Sequence, residues 1–357
     1  MKLREMNLDE VDKNFAVDST IDKKGLRFYH FEDEPFRLYG RLERGEGGLL
    51  YRIPREVAEK TNSGVLRLSA NTSGGRVRFR SDTKRVAIIA RYNKIELRPH
   101  FALTGVAGLD LYSGNDFLGG FLPPPEMKNN AYESVITIPL EREMRTLAIS
   151  LPLYAELIDL YIGIDEGARL EEAPPYKHET PVVYYGSSIT QGACASRPSA
   201  CYPAILSRMF DVDFHNLGFS GNARGEETIA DYIASLDMSA FVCDYDYNAS
   251  TPEHLKKTHY RLYKAYRDSN PDTPIIFMSS PNFEKDPVDR RKRENIIKKT
   301  IKLAKEQGDF NVYFVRGKDM FGKEDRENCT PDSTHPTDLG FYRMAKALNK
   351  VIAPLLK

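Results

Sequence analysis

The sequence predicts an α/β protein, in which a three-layer, flavodoxin-like domain with a five-stranded parallel sheet follows a β-sandwich of jelly-roll type. Three observations carry this expectation. From about Pro181 onward, short apolar runs alternate with longer amphipathic segments, the pattern of a parallel sheet covered by helices on both faces. The first 165 residues instead hold short alternating runs broken by Gly, Asn, Asp and Pro, as expected of antiparallel strands joined by turns. Between the two lies the polar, proline-rich stretch Glu171–Thr180, which puts the junction there and predicts domains of 1–172 and 173–357. A chain of 357 residues is long enough for two such cores.

In the first part, strands are expected at Val65–Ser69, Arg76–Arg80, Arg85–Ala90, Ser134–Ile138, Thr146–Ser150 and Glu156–Tyr161. In Arg76–Arg80 arginines alternate with apolar residues, so one face should meet solvent and the other a core. In the second part, strands are expected at Val182–Tyr185, Asp213–Asn216, Ala240–Tyr245, Pro274–Ser279 and Asn311–Val315. Helices should lie near 200–210, 226–236, 252–269, 287–307 and 337–353. His259 shares a helical stripe with Leu255, Leu262, Tyr263 and Tyr266, which marks it as a helix-surface or core-edge residue. The charged run Asp289–Glu294 reads as a solvated helical face.

Composition narrows the function. Lys+Arg and Asp+Glu are equal at 51 each, which argues against a nucleic-acid binder. The four cysteines, Cys194, Cys201, Cys243 and Cys329, form no Cys-x-x-Cys and read as packed thiols. No zinc-ligand spacing and no His-Glu-x-x-His occurs, so no metal or other cofactor is implied. No apolar run is long enough to span a bilayer. Met1–Glu10 lacks the apolar core of a signal peptide, so a cytoplasmic location is expected if the chain is untrimmed, and a periplasmic or secreted one if a leader was removed. Oligomeric state is not legible.

The chemistry sits at strand ends. Gly186-Ser-Ser-Ile-Thr-Gln-Gly192 follows the apolar Pro181–Tyr185, so a tight turn at a strand's carboxyl end presents Ser188. Asn216-Leu-Gly-Phe-Ser-Gly-Asn222 follows a second strand, and its glycines suit close approach of backbone N–H groups to a ligand. Asp246-Tyr-Asn248 follows a third, and places a side-chain amide there. Asp332-Ser-Thr-His335 comes late, with the aspartate close enough to orient the imidazole. A serine, a histidine oriented by a carboxylate, and converging N–H donors are what acyl transfer requires.

These four elements, in this order, resemble the SGNH (GDSL-like) hydrolase superfamily. The resemblance implies Ser188 as nucleophile, His335 as base and then acid, and Asp332 as its orienting partner. It implies an oxyanion hole from the backbone of Ser188, the backbone of Gly221 and the side chain of Asn248, with Gly218 competing with Gly221. Gln191, Asn222 and Tyr247, which flank these positions, are expected to contact substrate. Two departures stand out: Ser187 holds the place of the family's aspartate, so a hydroxyl should tie down the turn, and the usual Gly-x-Asn-Asp reads Asp246-Tyr-Asn-Ala249.

Gly108-Leu-Asp-Leu-Tyr112 is similar to the Gly-x-Asp-Leu-Tyr motif of a domain that precedes certain SGNH hydrolases, an arrangement like that of two-domain carbohydrate esterases. The implied activity is a serine esterase acting on short-chain acyl esters, acetyl foremost, of a carbohydrate. Tyr202 and Tyr247 near the motifs favour small acyl groups. The alternatives are a lysophospholipase or thioesterase, and a non-catalytic glycan-binding protein with a degenerate hydrolase domain. The β domain should either contact the glycan or merely buttress the hydrolase.

Overall fold

The computed structural model describes residues 21–281 and 283–356, so Met1–Glu10 lies outside the described residues. Internal contacts divide the chain into two units. The first holds the described residues through Arg52, together with Ala70–Pro175 and Ser196–Ser199. The second holds Ile53–Ser69, Tyr176–Ala195 and the chain from Ala200. Two short segments thus pack with the unit on the other side of the junction expected at 172/173.

In the first unit, strands β1 (Leu26–His30), β2 (Arg37–Tyr39), β3 (Arg76–Ser81), β4 (Arg85–Ile95) and β5 (Leu109–Ser113) are followed by β6 (Asp116–Phe121), β7 (Ala131–Thr137), β8 (Arg145–Ser150), β9 (Ala155–Asp165) and β10 (Leu170–Glu171). They form the two antiparallel sheets of a β-sandwich, ordered β1-β9-β4-β7 and β10-β3-β8-β5-β6, with β2 also paired to β3. The arginine face of β3 meets solvent only at Arg80. Arg76 and Arg78 are only 5% and 6% exposed. Tyr39 of β2 pairs with Arg76 across the strands and its ring lies 5.4 Å from the Arg78 guanidinium, while Arg76 donates to the Gly74 carbonyl. Arginine stems can bury along apolar surface when their heads find such partners.

Asp110, in β5, is fully buried and accepts hydrogen bonds from the Ser199 N–H (2.9 Å) and hydroxyl (2.5 Å). A charge-assisted pair of this kind explains why Ser196–Ser199 belongs to the first unit.

The second unit begins with α1 (Arg55–Thr61) and α2 (Ser63–Ser69). Val65–Ser69, expected as a strand, is the body of α2. A five-residue run fits either period, and the cap decides: Asn62 Oδ1 accepts the Val65 N–H at 2.8 Å, while Val65 and Leu68, one helical turn apart, are buried together.

The parallel sheet comprises β11 (His178–Gly186), β12 (Val212–Gly218), β13 (Ala240–Asp244), β14 (Ile275–Met278) and β15 (Val312–Val315), in the order β12-β11-β13-β14-β15. This is the flavodoxin order. The chain leaves β11 on one side and returns on the other at β13, so the crevice for a ligand opens beyond the carboxyl ends of these strands. After β11 comes the one-turn α3 (Ser188–Gln191), and the longer helices are α4 (Tyr202–Phe210), α5 (Glu227–Ala234), α6 (Pro252–Ser269), α7 (Pro287–Glu306) and α8 (Asp338–Ile352).

Two helix expectations change. Asp289–Glu294 is helical, but Arg293 and Glu294 are buried: Arg293 donates to the carbonyls of Asp246 (2.6 Å) and Ala249 (2.8 Å), and Glu294 pairs with Lys298 and with Arg316 at 2.9 Å. His259 is core, 2% exposed, with Nδ1 2.9 Å from the Thr300 hydroxyl and its ring stacked on Tyr245. Burial lowers its pKa to about 3. An unfolded chain protonates this histidine near its ordinary value of about 6.5, so stability falls as pH drops from there toward the folded value. Between pH 7 and pH 5 this group should cost about 2 kcal/mol. Denaturant titrations of His259→Gln should show that much less acid destabilisation than the parent; parallel curves would refute the assignment.

Candidate active site

The turn that carries Ser188 is built by its own residues. Ser187 caps α3, its hydroxyl accepting the Ile189 N–H at 3.1 Å, and Gly192 closes the turn in the left-handed region at φ 105°. The hydroxyl at 187 therefore ties down the turn locally. Beneath it, Thr190 Oγ1 donates to Asp244 Oδ2 at 3.1 Å, and the Tyr202 hydroxyl donates to the same oxygen at 3.4 Å. Burial, then the nearby Asp246 charge, pushes the Asp244 carboxyl well above the usual range and favours its neutral form. Tyr202, expected beside the acyl group, is fully buried in this cluster and offers no surface to a ligand.

Ser188 Oγ lies 2.9 Å from His335 Nε2, and His335 Nδ1 lies 2.6 Å from Asp332 Oδ2. The second carboxylate oxygen, Oδ1, accepts the backbone N–H groups of Thr334 (2.9 Å) and His335 (2.7 Å). Burial works to raise the Asp332 pKa, but the bonds from His335 and Thr334 outweigh it and hold the carboxyl below its ordinary value. An ionised Asp332 accepts the Nδ1 proton, which leaves Nε2 as acceptor toward the serine hydroxyl. Cys194 is half-buried, and burial followed by the Asp332 charge pushes its thiol up to about 12. None of the four cysteines is in a disulfide.

Beyond β12 the chain turns over Phe219–Ala223, with the N–H groups of Asn222 and Ala223 donating to the Phe219 carbonyl. The two candidate glycines separate here. A Cβ on Gly218 would overlap the Gln191 backbone nitrogen, and the Gly218 N–H already donates to Asn216 Oδ1 at 2.9 Å. Gly218 thus lets β12 approach α3, whereas Gly221, at φ 73°, sits exposed on the open turn. Asn248 lies on the turn after β13; its Oδ1 accepts the Ala223 N–H at 3.4 Å, and its Nδ2 amide is the donor that remains for a ligand.

Of the three residues expected to contact substrate, Gln191 is buried, and Asn222 and Tyr247 are partly exposed. Gln191 is fully buried, because its Oε1 accepts the Ser220 N–H at 3.0 Å and so braces the 219–223 turn against α3. Asn222 donates from Nδ2 to the Ser220 carbonyl at 2.7 Å and packs on Gly64 of α2, where a Cβ would overlap its amide. Tyr247 remains partly exposed, donating to Thr334 Oγ1 at 3.1 Å under the Arg290 guanidinium, 4.0 Å from its ring centre. Asp246, the departure from the usual third motif, points into the core and is held by Ser280, while Arg293 grips the backbone on both sides of Asn248. Arg293, Asp244 and Thr334 are the supporting residues that sequence reasoning passed over. The only cue was an acid closing the apolar run of β13.

A five-stranded parallel sheet with serine, histidine and amide groups gathered at its strand ends defines an acyl hydrolase architecture. Residues 179–353 match the GDSL-like Lipase/Acylhydrolase family, and residues 26–170 match the N-terminus of Esterase_SGNH_hydro-type, the GxDLY domain. The chain is an SGNH (GDSL-like) esterase with an N-terminal GxDLY-type β-sandwich domain. A solved structure from Bacteroides ovatus ATCC 8483, assigned to the GDSL-like lipases, is 29% identical, covers 93% of this chain and 98% of its own, and superposes with a TM-score of 0.82. The salicylyl-acyltransferase SsfX3 of a tetracycline biosynthetic pathway shares the fold at 23% identity and TM-score 0.75, with the same coverage. So does a family two carbohydrate esterase from Clostridium thermocellum, at 14% identity and TM-score 0.61, over 89% of this chain and 98% of its own. No curated protein sequence matches the chain significantly.

Proposed function

We propose that the protein is a serine esterase that removes short acyl groups, acetyl foremost, from a carbohydrate. The observation that supports this best is the continuous Ser188–His335–Asp332 relay at 2.9 and 2.6 Å. In the proposed reaction Ser188 Oγ attacks the ester carbonyl while its proton passes to His335 Nε2. The oxyanion is held by the N–H groups of Ser188 and Gly221 and by Asn248 Nδ2. The carbon–oxygen bond to the alcohol then breaks, and His335 hands the proton to the departing oxygen. Water, deprotonated by the same imidazole, attacks the acyl-serine and releases the acid. The carbohydrate assignment is supported by the shared two-domain architecture with carbohydrate esterases, a fold-level analogy.

Chain length tests the acyl preference. With aryl esters, acetate should be turned over with kcat/KM at least about tenfold above decanoate, since a long chain needs an extended apolar groove. Acetate should also be released from an acetylated oligosaccharide. A preference for decanoate would favour a lysophospholipase or thioesterase, and glycan binding without turnover of either ester would favour a non-catalytic binder.

A further inference from the structure

Resting on the esterase reading, a second feature specifies the substrate further. Lys285 Nζ donates to Thr334 Oγ1 at 2.5 Å, and the Tyr247 hydroxyl donates to the same oxygen at 3.1 Å. With two donors on its oxygen, the Thr334 hydroxyl keeps its own proton for an acceptor outside this cluster. The acidic residues around Lys285 are engaged elsewhere: Glu284 pairs with Arg326 at 3.0 Å, Asp286 caps α7 through the Asp289 N–H, Asp289 pairs with Arg293 at 2.5 Å, and Asp332 holds His335. Among the described residues no carboxylate pairs with Lys285. Arg290, stacked on Tyr247, adds a second positive charge to the same rim.

The side of the ester that this group meets follows from the chemistry. His335 Nε2 must serve both the serine oxygen and the departing alcohol oxygen, so residues flanking the imidazole on its own loop face the alcohol half of the ester. Thr334 immediately precedes His335 in the chain. We propose that Lys285 and the Thr334 hydroxyl form a subsite for a carboxylate on the alcohol half, so that the preferred substrates are acetyl esters of acidic sugars, the uronic acids. A lysine at this rim is solvated, so its effect is modest, and salt should weaken it.

The test compares kcat/KM of the full chain on an acetylated methyl glucuronoside and on the methyl ester of that same compound. The free acid should be favoured by about fivefold or more at low salt. Lys285→Ala should bring the ratio to about one, Lys285→Arg should restore it, and added salt should shrink it in the parent. A parent ratio at or below unity overturns the subsite, as does a ratio that Lys285→Ala leaves unchanged. Failure of the esterase reading would look different: neither sugar ester nor an aryl acetate would be hydrolysed, and the subsite would fall with it.

Discussion

Ser188→Ala should lower kcat for an aryl acetate by at least about 10³-fold while leaving the fold intact. The side chain is small, sits at the first position of a one-turn helix capped by Ser187, and makes its bond through Oγ to His335. Removing it takes away the proposed attacking hydroxyl but not the capping hydroxyl of Ser187, the Thr190–Asp244 bond beneath the turn, or the brace from Gln191 to the 219–223 turn. Far-ultraviolet circular dichroism and thermal unfolding should therefore match the parent. A variant that keeps parental turnover would show that another group attacks the ester.

Asp332→Asn should cost roughly 10³- to 10⁴-fold in kcat, and the geometry gives the reason. Oδ1 of Asp332 accepts two backbone N–H groups, from Thr334 and His335. An asparagine there must place its carbonyl oxygen at that position, since an NH₂ would face two donors. Its NH₂ is then forced toward His335 Nδ1, now 2.6 Å from the carboxylate. Nδ1 becomes an acceptor, the ring proton moves to Nε2, and the imidazole can no longer take the serine proton. Because the native carboxyl titrates below its ordinary value, it stays ionised through mildly acidic pH, and the parent should not lose this function there. Near-parental activity in the asparagine variant would mean that the carboxylate does not set the tautomer.

Much of this was legible in the sequence because its signals are local. The five parallel strands and the helices between them follow from apolar runs and amphipathic periods, and β13, α6 and α7 fall within a residue or two of their expected limits. The convergence of Ser188, Asp332 and His335 rested on motif order, and the structure brings those atoms within hydrogen-bonding distance. What escaped depends on where a polar side chain turns. Gln191 stands beside the motifs, yet its hydrogen bond with the Ser220 N–H holds it in the interior. Tyr202 is drawn under the Ser188 turn by Asp244, and Arg293 into the core by two carbonyls. Val65–Ser69 was too short for its period to decide between strand and helix, and a side-chain cap from Asn62 settled it. For Gln191, Tyr202 and Arg293 the deciding partner lies outside the window in which periodicity is read.

For Ser188 to attack an ester, its hydroxyl must be made reactive by the imidazole beside it. Treatment with a fluorophosphonate followed by peptide mass spectrometry tests this directly, because the reagent forms a covalent bond only with an activated nucleophile. A single adduct on Ser188 is expected, formed quickly in the parent and lost in a His335→Ala variant. An adduct on a different residue, or an unreactive protein that is nonetheless folded, would contradict it.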